Sequence, residues 1–139
     1  HDMIQLMLHL LGDYFLQTDK QALAKKNKGW YGFKQCLIHC VTYSLPFKLI
    51  GSWSAVAVIF ITHFIIDRTN IVAYAVAIKN NVIKKVDAED PVIRTGIDKF
   101  DISNFGYGLE RPFAISIWLY IIVDNLCHII CNYIALKYL

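Results

Sequence analysis

No Asp, Glu, Lys or Arg stands between Trp53 and Asp67, and Asp124 is the one such residue from Pro112 to Leu136. A helix with no charge on any face offers nothing to water, so these stretches do not suit the outer helices of a soluble domain. Composition agrees: 56% of residues are hydrophobic and mean hydropathy is +0.41, where soluble domains hold about 45–50% apolar residues. The 139 residues are enough for one domain, and lipid is the natural solvent for so much apolar surface. Also missing are a CxxC zinc pattern, a P-loop, a GxSxG elbow and a dinucleotide fingerprint. Cys36/Cys40 and Cys127/Cys131 instead form i, i+4 pairs in apolar runs and read as small buried hydrophobes. The first apolar run has no basic segment before it and carries Asp13, so no cleavable signal peptide is expected. His1 and Asp2 precede the first methionine, are compatible with a cloning remnant, and carry no functional weight.

Four apolar segments are present. The first runs from Met3 to about Thr18, with His9, Asp13 and Gln17 recurring every four residues as one polar helical stripe. A lysine-rich stretch, Lys20 to Lys28, follows and ends at Gly29. The second, Trp30 to Leu49, is kinked or ended by Pro46. The third starts at Trp53, with Ser52 or Ser54 as its cap, and extends towards Lys79 with a break near Thr69–Asn70. Strand is the alternative for its β-branched run from Val56 to Ile66, but the length and lack of alternation favour helix. Polar residues from about 80 to 111, punctuated by Asp90–Pro91, Gly96, Gly106 and Gly108, predict a long loop or short helical pieces. The fourth segment opens with Pro112 in its first turn. The expected fold is therefore all-α: a single domain, residues 1–139, forming a transmembrane four-helix bundle.

Lysines and arginines cluster in the first and third connections (Lys20, Lys25, Lys26, Lys28; Lys84, Lys85, Arg94, Lys99), while the second has Lys48 alone. Both basic loops, including residues 80–111, are expected on the cytoplasmic side.

Within the apolar segments the acids are Asp13, Asp67 and Asp124, and each has a histidine four residues away: His9, His63 and His128. The i, i+4 spacing puts each pair on one helix face. His39 adds an imidazole from the remaining segment. One such pair is an ordinary local hydrogen bond; three pairs in four apolar segments are costly unless they meet in the bundle interior. Imidazole and carboxylate are the ordinary ligands of Zn, Mn and Fe, and a divalent ion offsets the burial of the acids. The expected ligands of one or two ions are His9, Asp13, His63, Asp67, Asp124 and His128. His39 is expected as a further ligand or proton shuttle and Asp67 as a general base. Gln17, Asn125 and Asn132 are placed to hydrogen-bond the ligands, and Arg68, Arg94 and Arg111 to meet substrate phosphate. The expected function is metal-dependent hydrolysis of a phosphorylated, ester-containing or lipid-like substrate at the bilayer. Alternatives are proton or metal-ion transport, or a non-enzymatic membrane interaction. Nothing points to sequence-specific nucleic-acid binding.

The strings LHLLGDYFLQTDK, THFIIDRTN and WLYIIVDNLCHIICN, with GLERP before the last segment, resemble the bacterial and phage domain-of-unknown-function family 3307. The resemblance covers nearly the whole chain and implies a small multi-span protein of the bacterial inner membrane, phage-borne in some members. It implies no activity. The topology has a direct test: Lys25→Cys and Lys84→Cys should both react with an impermeant thiol reagent only from the cytoplasmic face of inverted vesicles. Reaction from opposite faces would defeat the arrangement.

Overall fold

The computed structural model describes residues 2–86, 88–89 and 93–139; His1 and the Asp90–Pro91 turn lie outside them. Among the described residues the secondary structure is helical, without strands: α1 (Asp2–Leu10), α2 (Asp19–Ala24), α3 (Trp30–Ser44), α4 (Trp53–Arg68), α5 (Ile71–Asn80) and α6 (Phe113–Tyr138). The all-α class holds. The chain divides into two compact units, His1–Thr69 with Asn125–Leu139, and Asn70–Asp124.

In the first unit α1 runs into a π-helical turn, Leu11–Leu16. Gly12 permits a close approach to α3, since a Cβ there would lie 2.4 Å from Cδ2 of Tyr43. The chain leaves the helix at Gln17 in extended conformation, and Thr18 then starts α2 with a capping box. The Thr18 hydroxyl accepts from the Gln21 amide at 3.2 Å, and the Gln21 side chain accepts from the Thr18 amide at 3.0 Å. The lysine-rich stretch thus begins with a short helix, for which the Thr-x-x-Gln signature at Thr18–Gln21 is the start signal. α3 begins after Gly29, at φ +97°, and gives way at Ser44 to a 3-10 turn, Leu45–Leu49, that accommodates Pro46. Of the two candidate caps for α4, Ser52 is used: its hydroxyl accepts from the Ala55 amide at 3.0 Å and donates to the Leu139 carbonyl at 2.9 Å. The helical run breaks after Arg68, where the backbone of Thr69 is extended.

Tyr43, Phe47, Ala55, Val56, Ile59 and Ala135 make a small apolar core. Around it the usual distribution is inverted. His9, His39, His63, His128 and Asp67 are at most 2% exposed, whereas Phe15 and Leu49 are 79% and 81% exposed. In water the ranking runs the other way.

In the second unit Asn81 ends α5 in left-handed conformation. Backbone bonds Lys84 N–H to Lys99 O (2.8 Å) and Asp101 N–H to Val82 O (2.9 Å) close the segment after it around an isolated Ile83–Phe100 bridge. Gly96–Lys99 forms a 3-10 turn. The Asn104 side chain donates to the carbonyls of Gly108 and Arg111. The region expected as loop or short helical pieces is thus a tied, irregular segment.

α6, with 26 residues, is long and apolar enough to cross a membrane by itself; α4 and α5 meet that standard only when counted together across their break. At 1.5 Å per residue α6 reaches about 39 Å, past the roughly 30 Å of a bilayer core.

Gly96 and Gly106 both have positive φ, +64° and +86°, but a Cβ at Gly106 would also lie 2.3 Å from the Ala73 carbonyl, while Gly96 faces open space. Gly96→Ala should therefore cost about 1 kcal/mol, the left-handed penalty alone. Gly106→Ala should cost about 3 kcal/mol or more. Thermal unfolding of the two variants in one detergent checks the difference.

Candidate metal centre

The π turn after α1, together with α3 and α4, directs four donor atoms of the first unit at one another. His39 Nε2 and His63 Nε2 are 3.0 Å apart. Asp13 Oδ1 lies 3.2 Å from the first and 3.4 Å from the second; Asp67 Oδ2 lies 3.3 Å from each. These atoms form two triangles that share the His39–His63 edge. A tetrahedral ion with bonds of about 2.0–2.1 Å sets its ligand atoms about 3.3–3.4 Å apart, so either triangle matches one face of such a shell.

Hydrogen bonding alone satisfies this geometry poorly. Two Nε2–H groups cannot both point into a 3.0 Å gap. With one proton in the gap, the bare nitrogen still faces two carboxylate oxygens at 3.2–3.4 Å. A cation between the four atoms removes both conflicts. The His39–His63–Asp67 and Asp13–His63–His128 groups each bring their ligand atoms within 4.8 Å of one another, so the His/Asp groups can hold a metal ion. Asp67 faces two ways: Oδ2 towards His39 and His63, and Oδ1 towards His128 Nε2 at 3.4 Å.

His63 is aimed in an unusual way. A ligating histidine ordinarily fixes its ring by a hydrogen bond from the other nitrogen. Here the Nδ1 atoms of His39 and His63 are buried without hydrogen-bond partners among the described residues. The His63 ring is held instead between Tyr43, stacked at 3.6 Å between centroids and 16° between planes, and His128 at 4.1 Å. Tyr43 is itself anchored through its hydroxyl to His9 Nδ1 and to the Asn132 amide, each at 2.7 Å.

Donor and acceptor roles follow from one end of this chain. Asn125 Nδ2 donates to the Tyr14 hydroxyl at 2.6 Å, so its Oδ1 is the acceptor facing His9 Nε2 at 2.8 Å. His9 therefore carries its proton on Nε2, its Nδ1 accepts from the Tyr43 hydroxyl, and Tyr43 accepts from Asn132. His9, expected as a ligand, has both ring nitrogens engaged in this network, with Asp13 Oδ2 a further 3.5 Å contact of Nδ1. Asn125 hydrogen-bonds to His9 and Asn132 to Tyr43. Gln17 sits where the helix ends, its buried Nε2 without a hydrogen-bond partner among the described residues.

Arg68 lies beside the centre, yet its Nη1 donates to the backbone carbonyls of Lys25 (3.0 Å) and Asn27 (2.5 Å). Arg94, Arg111 and Asp124 belong to the second unit. There the Arg111 guanidinium covers the Tyr107 ring at 4.9 Å. Asp124 stands one turn before His128 on α6.

Two further neighbours of the centre, Tyr43 and Lys25, are absent from the expected set. Tyr43 lies four residues after His39 on α3, so the spacing used for the His/Asp pairs also points to it. Lys25, whose ammonium is 3.1 Å from Asp67 Oδ2, carries no such signal in a lysine-rich stretch. Tyr43→Phe should keep the ring against His63 and cost about 1–3 kcal/mol by orphaning buried polar groups. Tyr43→Leu should cost about 3–5 kcal/mol, the range for deleting a buried ring. Thermal unfolding measures both, and ¹⁵N-histidine NMR should find His9 as the Nε2–H tautomer in the parent protein.

No curated protein and no solved structure matches this chain. A family model, described as protein of unknown function (DUF3307), matches residues 3–138. Over that span, which takes in every residue of the His/Asp centre, the chain belongs to the DUF3307 family.

Proposed function

We propose that this protein is a membrane-embedded, metal-dependent hydrolase acting on a phosphorylated or ester-containing substrate. The observation that carries this reading is the quartet Asp13, His39, His63 and Asp67, of which Asp13 is 13% exposed and the others at most 2%, with donor atoms 3.0–3.4 Å apart along five edges. Two imidazole nitrogens and two carboxylate oxygens suit Zn, and also Mn or Fe. Asp67, with its second oxygen towards His128, is placed to share its carboxylate with a second ion. A divalent ion in such a shell supplies Lewis acidity and an activated water. Tyr43 and His128 keep the His63 ring aimed inward, and the His9–Asn125 and Asn132 bonds keep Tyr43 in place. Asp67 is assigned to the ligand set here, as is His39. His9 is assigned to orienting Tyr43. Asp124 and the three arginines are given no part in this assignment.

The bilayer belongs to the same proposal. Exposed apolar side chains around a polar interior fit lipid outside and a four-span helix bundle, with the lysine-bearing loops on the cytoplasmic side of the bacterial inner membrane. A charged centre of this kind, sunk among apolar helices, is characteristic of function rather than stability.

Elemental analysis of the detergent-purified protein should find about one or two divalent ions per chain, and His63→Ala and Asp67→Asn should each weaken binding by roughly 10-fold or more. The metal-loaded parent should hydrolyse a chromogenic phosphate or carboxylic ester, and Asp67→Asn should not. Metal bound with no hydrolysis, together with metal uptake into proteoliposomes, would move the function to transport. Full metal content in both variants would end the metal reading.

A further inference from the structure

We infer that the second unit carries a binding site of its own, for a phosphate ester whose alcohol part bears free hydroxyls, glycerol phosphate being the smallest example. Asn80, Asn81, Lys85, Tyr107, Glu110 and Arg111 are the polar lining of a cavity of about 620 Å³ that lies wholly within this unit. Small-molecule sites commonly measure about 300–1,000 Å³. The site goes beyond the metal reading and does not depend on it.

Its walls are tied by main-chain contacts. One wall is the end of α5, where Asn81 takes left-handed conformation and its N–H donates to the carbonyls of Ala77 and Ile78. The other is the turn 107–111, closed by the bond from Arg111 N–H to Gly108 O at 3.0 Å. Asn104 ties that turn, its side chain donating to the Gly108 and Arg111 carbonyls at 2.8 and 3.1 Å. Gly106 lets the chain before the turn pack on α5, since a Cβ there would overlap the Ala73 carbonyl. Walls fixed in this way meet the ordering cost on folding rather than on binding.

The lining selects the ligand class. Lys85 and Arg111 are exposed, and neither forms an ion pair among the described residues. The Arg111 guanidinium rests over the Tyr107 ring at 4.9 Å, a contact that positions the group without pairing it to a carboxylate. Two such cations suit the oxygens of a phosphate. Glu110 adds a second requirement. Its carboxylate is folded back on Gly108, where a Cβ would overlap it. It opposes a bare anion but accepts hydrogen bonds from hydroxyls, and the carboxamides of Asn80 and Asn81 donate and accept. In the topology proposed above the cavity faces the cytoplasm, where glycerol phosphate occurs both as a phospholipid headgroup and as a free ester.

Titration calorimetry of the full chain in an uncharged detergent tests the site with glycerol phosphate, glycerol, inorganic phosphate and short-chain phosphatidylglycerol. The parent protein should bind glycerol phosphate more tightly than inorganic phosphate, and glycerol not at all. Lys85→Met and Arg111→Met should each weaken glycerol phosphate binding by roughly 10-fold, with partial recovery in Arg111→Lys. Glu110→Gln should remove the preference over inorganic phosphate. Tighter binding of phosphatidylglycerol would assign the site to a lipid headgroup, and tighter binding of glycerol phosphate to a soluble ester. Lys85 is exposed, so Lys85→Met reads binding even where Arg111→Met unsettles the turn. A parent protein that binds neither ester, or an unchanged affinity in Lys85→Met, would overturn the site. Inorganic phosphate bound as tightly as glycerol phosphate would overturn the hydroxyl requirement. Glycerol phosphate bound by a protein that takes up no divalent metal would end the metal reading and leave this site standing.

Discussion

One buried and one largely covered carboxylate, with four buried imidazoles, need positive charge between them among apolar helices, and the first unit is organised around that need. A buried carboxylate is tolerated only with partners that replace its hydration. Asp67 has four: His39, His63 and Lys25 around one oxygen and His128 on the other. Asp13 faces His39 and His63 through one oxygen. The two acids thus share two histidines, and this sharing draws the π turn, α3 and α4 onto a common point. A purely hydrogen-bonded cluster would leave proton conflicts in the 3.0 Å gap between the His39 and His63 nitrogens; a cation there would not.

The surroundings of the centre serve mainly to restrict it. Gly12 and Gly32 remove side chains where α1 and α2 meet α3. Tyr43 fills the space so released beside Gly12, and its ring becomes the wall against which His63 stacks. The Tyr43 hydroxyl, buried with it, is satisfied by His9 and Asn132, so the polar network orients an aromatic ring. This is an indirect way to aim a ligand, and it follows from the lack of any hydrogen-bond partner for the His63 Nδ1 atom among the described residues. The Arg68 contacts act similarly on the segment 25–27, since they hold main chain and leave the Lys25 side chain to face Asp67.

How much of this could be read from the sequence differs by residue. His39, His63, Asp67 and His128 were legible because ionisable groups are rare and expensive in apolar helices, and i, i+4 spacing states which face they share. The break at Thr69–Asn70, the end of α3 near Pro46 and the Ser52 cap were legible from local backbone chemistry. The short helix α2 is hard to see in the sequence because lysines obscure its Thr18–Gln21 capping box. His9 shows the limit of the spacing rule: it shares a stripe with Asp13, but Asn125 lies far along the chain, and only folding reveals that it occupies the second nitrogen.

By itself the sequence determined that the chain is helical, that its helices are apolar outside a His/Asp stripe, and that each His/Asp pair shares one helix face. Periodicity and the cost of burying charge act within one segment, so one segment suffices to read them. Only the tertiary structure decided which stripe members converge, that Tyr43 aims His63, and that Lys25 reaches Asp67 across 42 residues. Those are contacts between side chains on different helices, set by how closely Gly12 and Gly32 let the backbones approach, and no periodicity along a single helix encodes that distance.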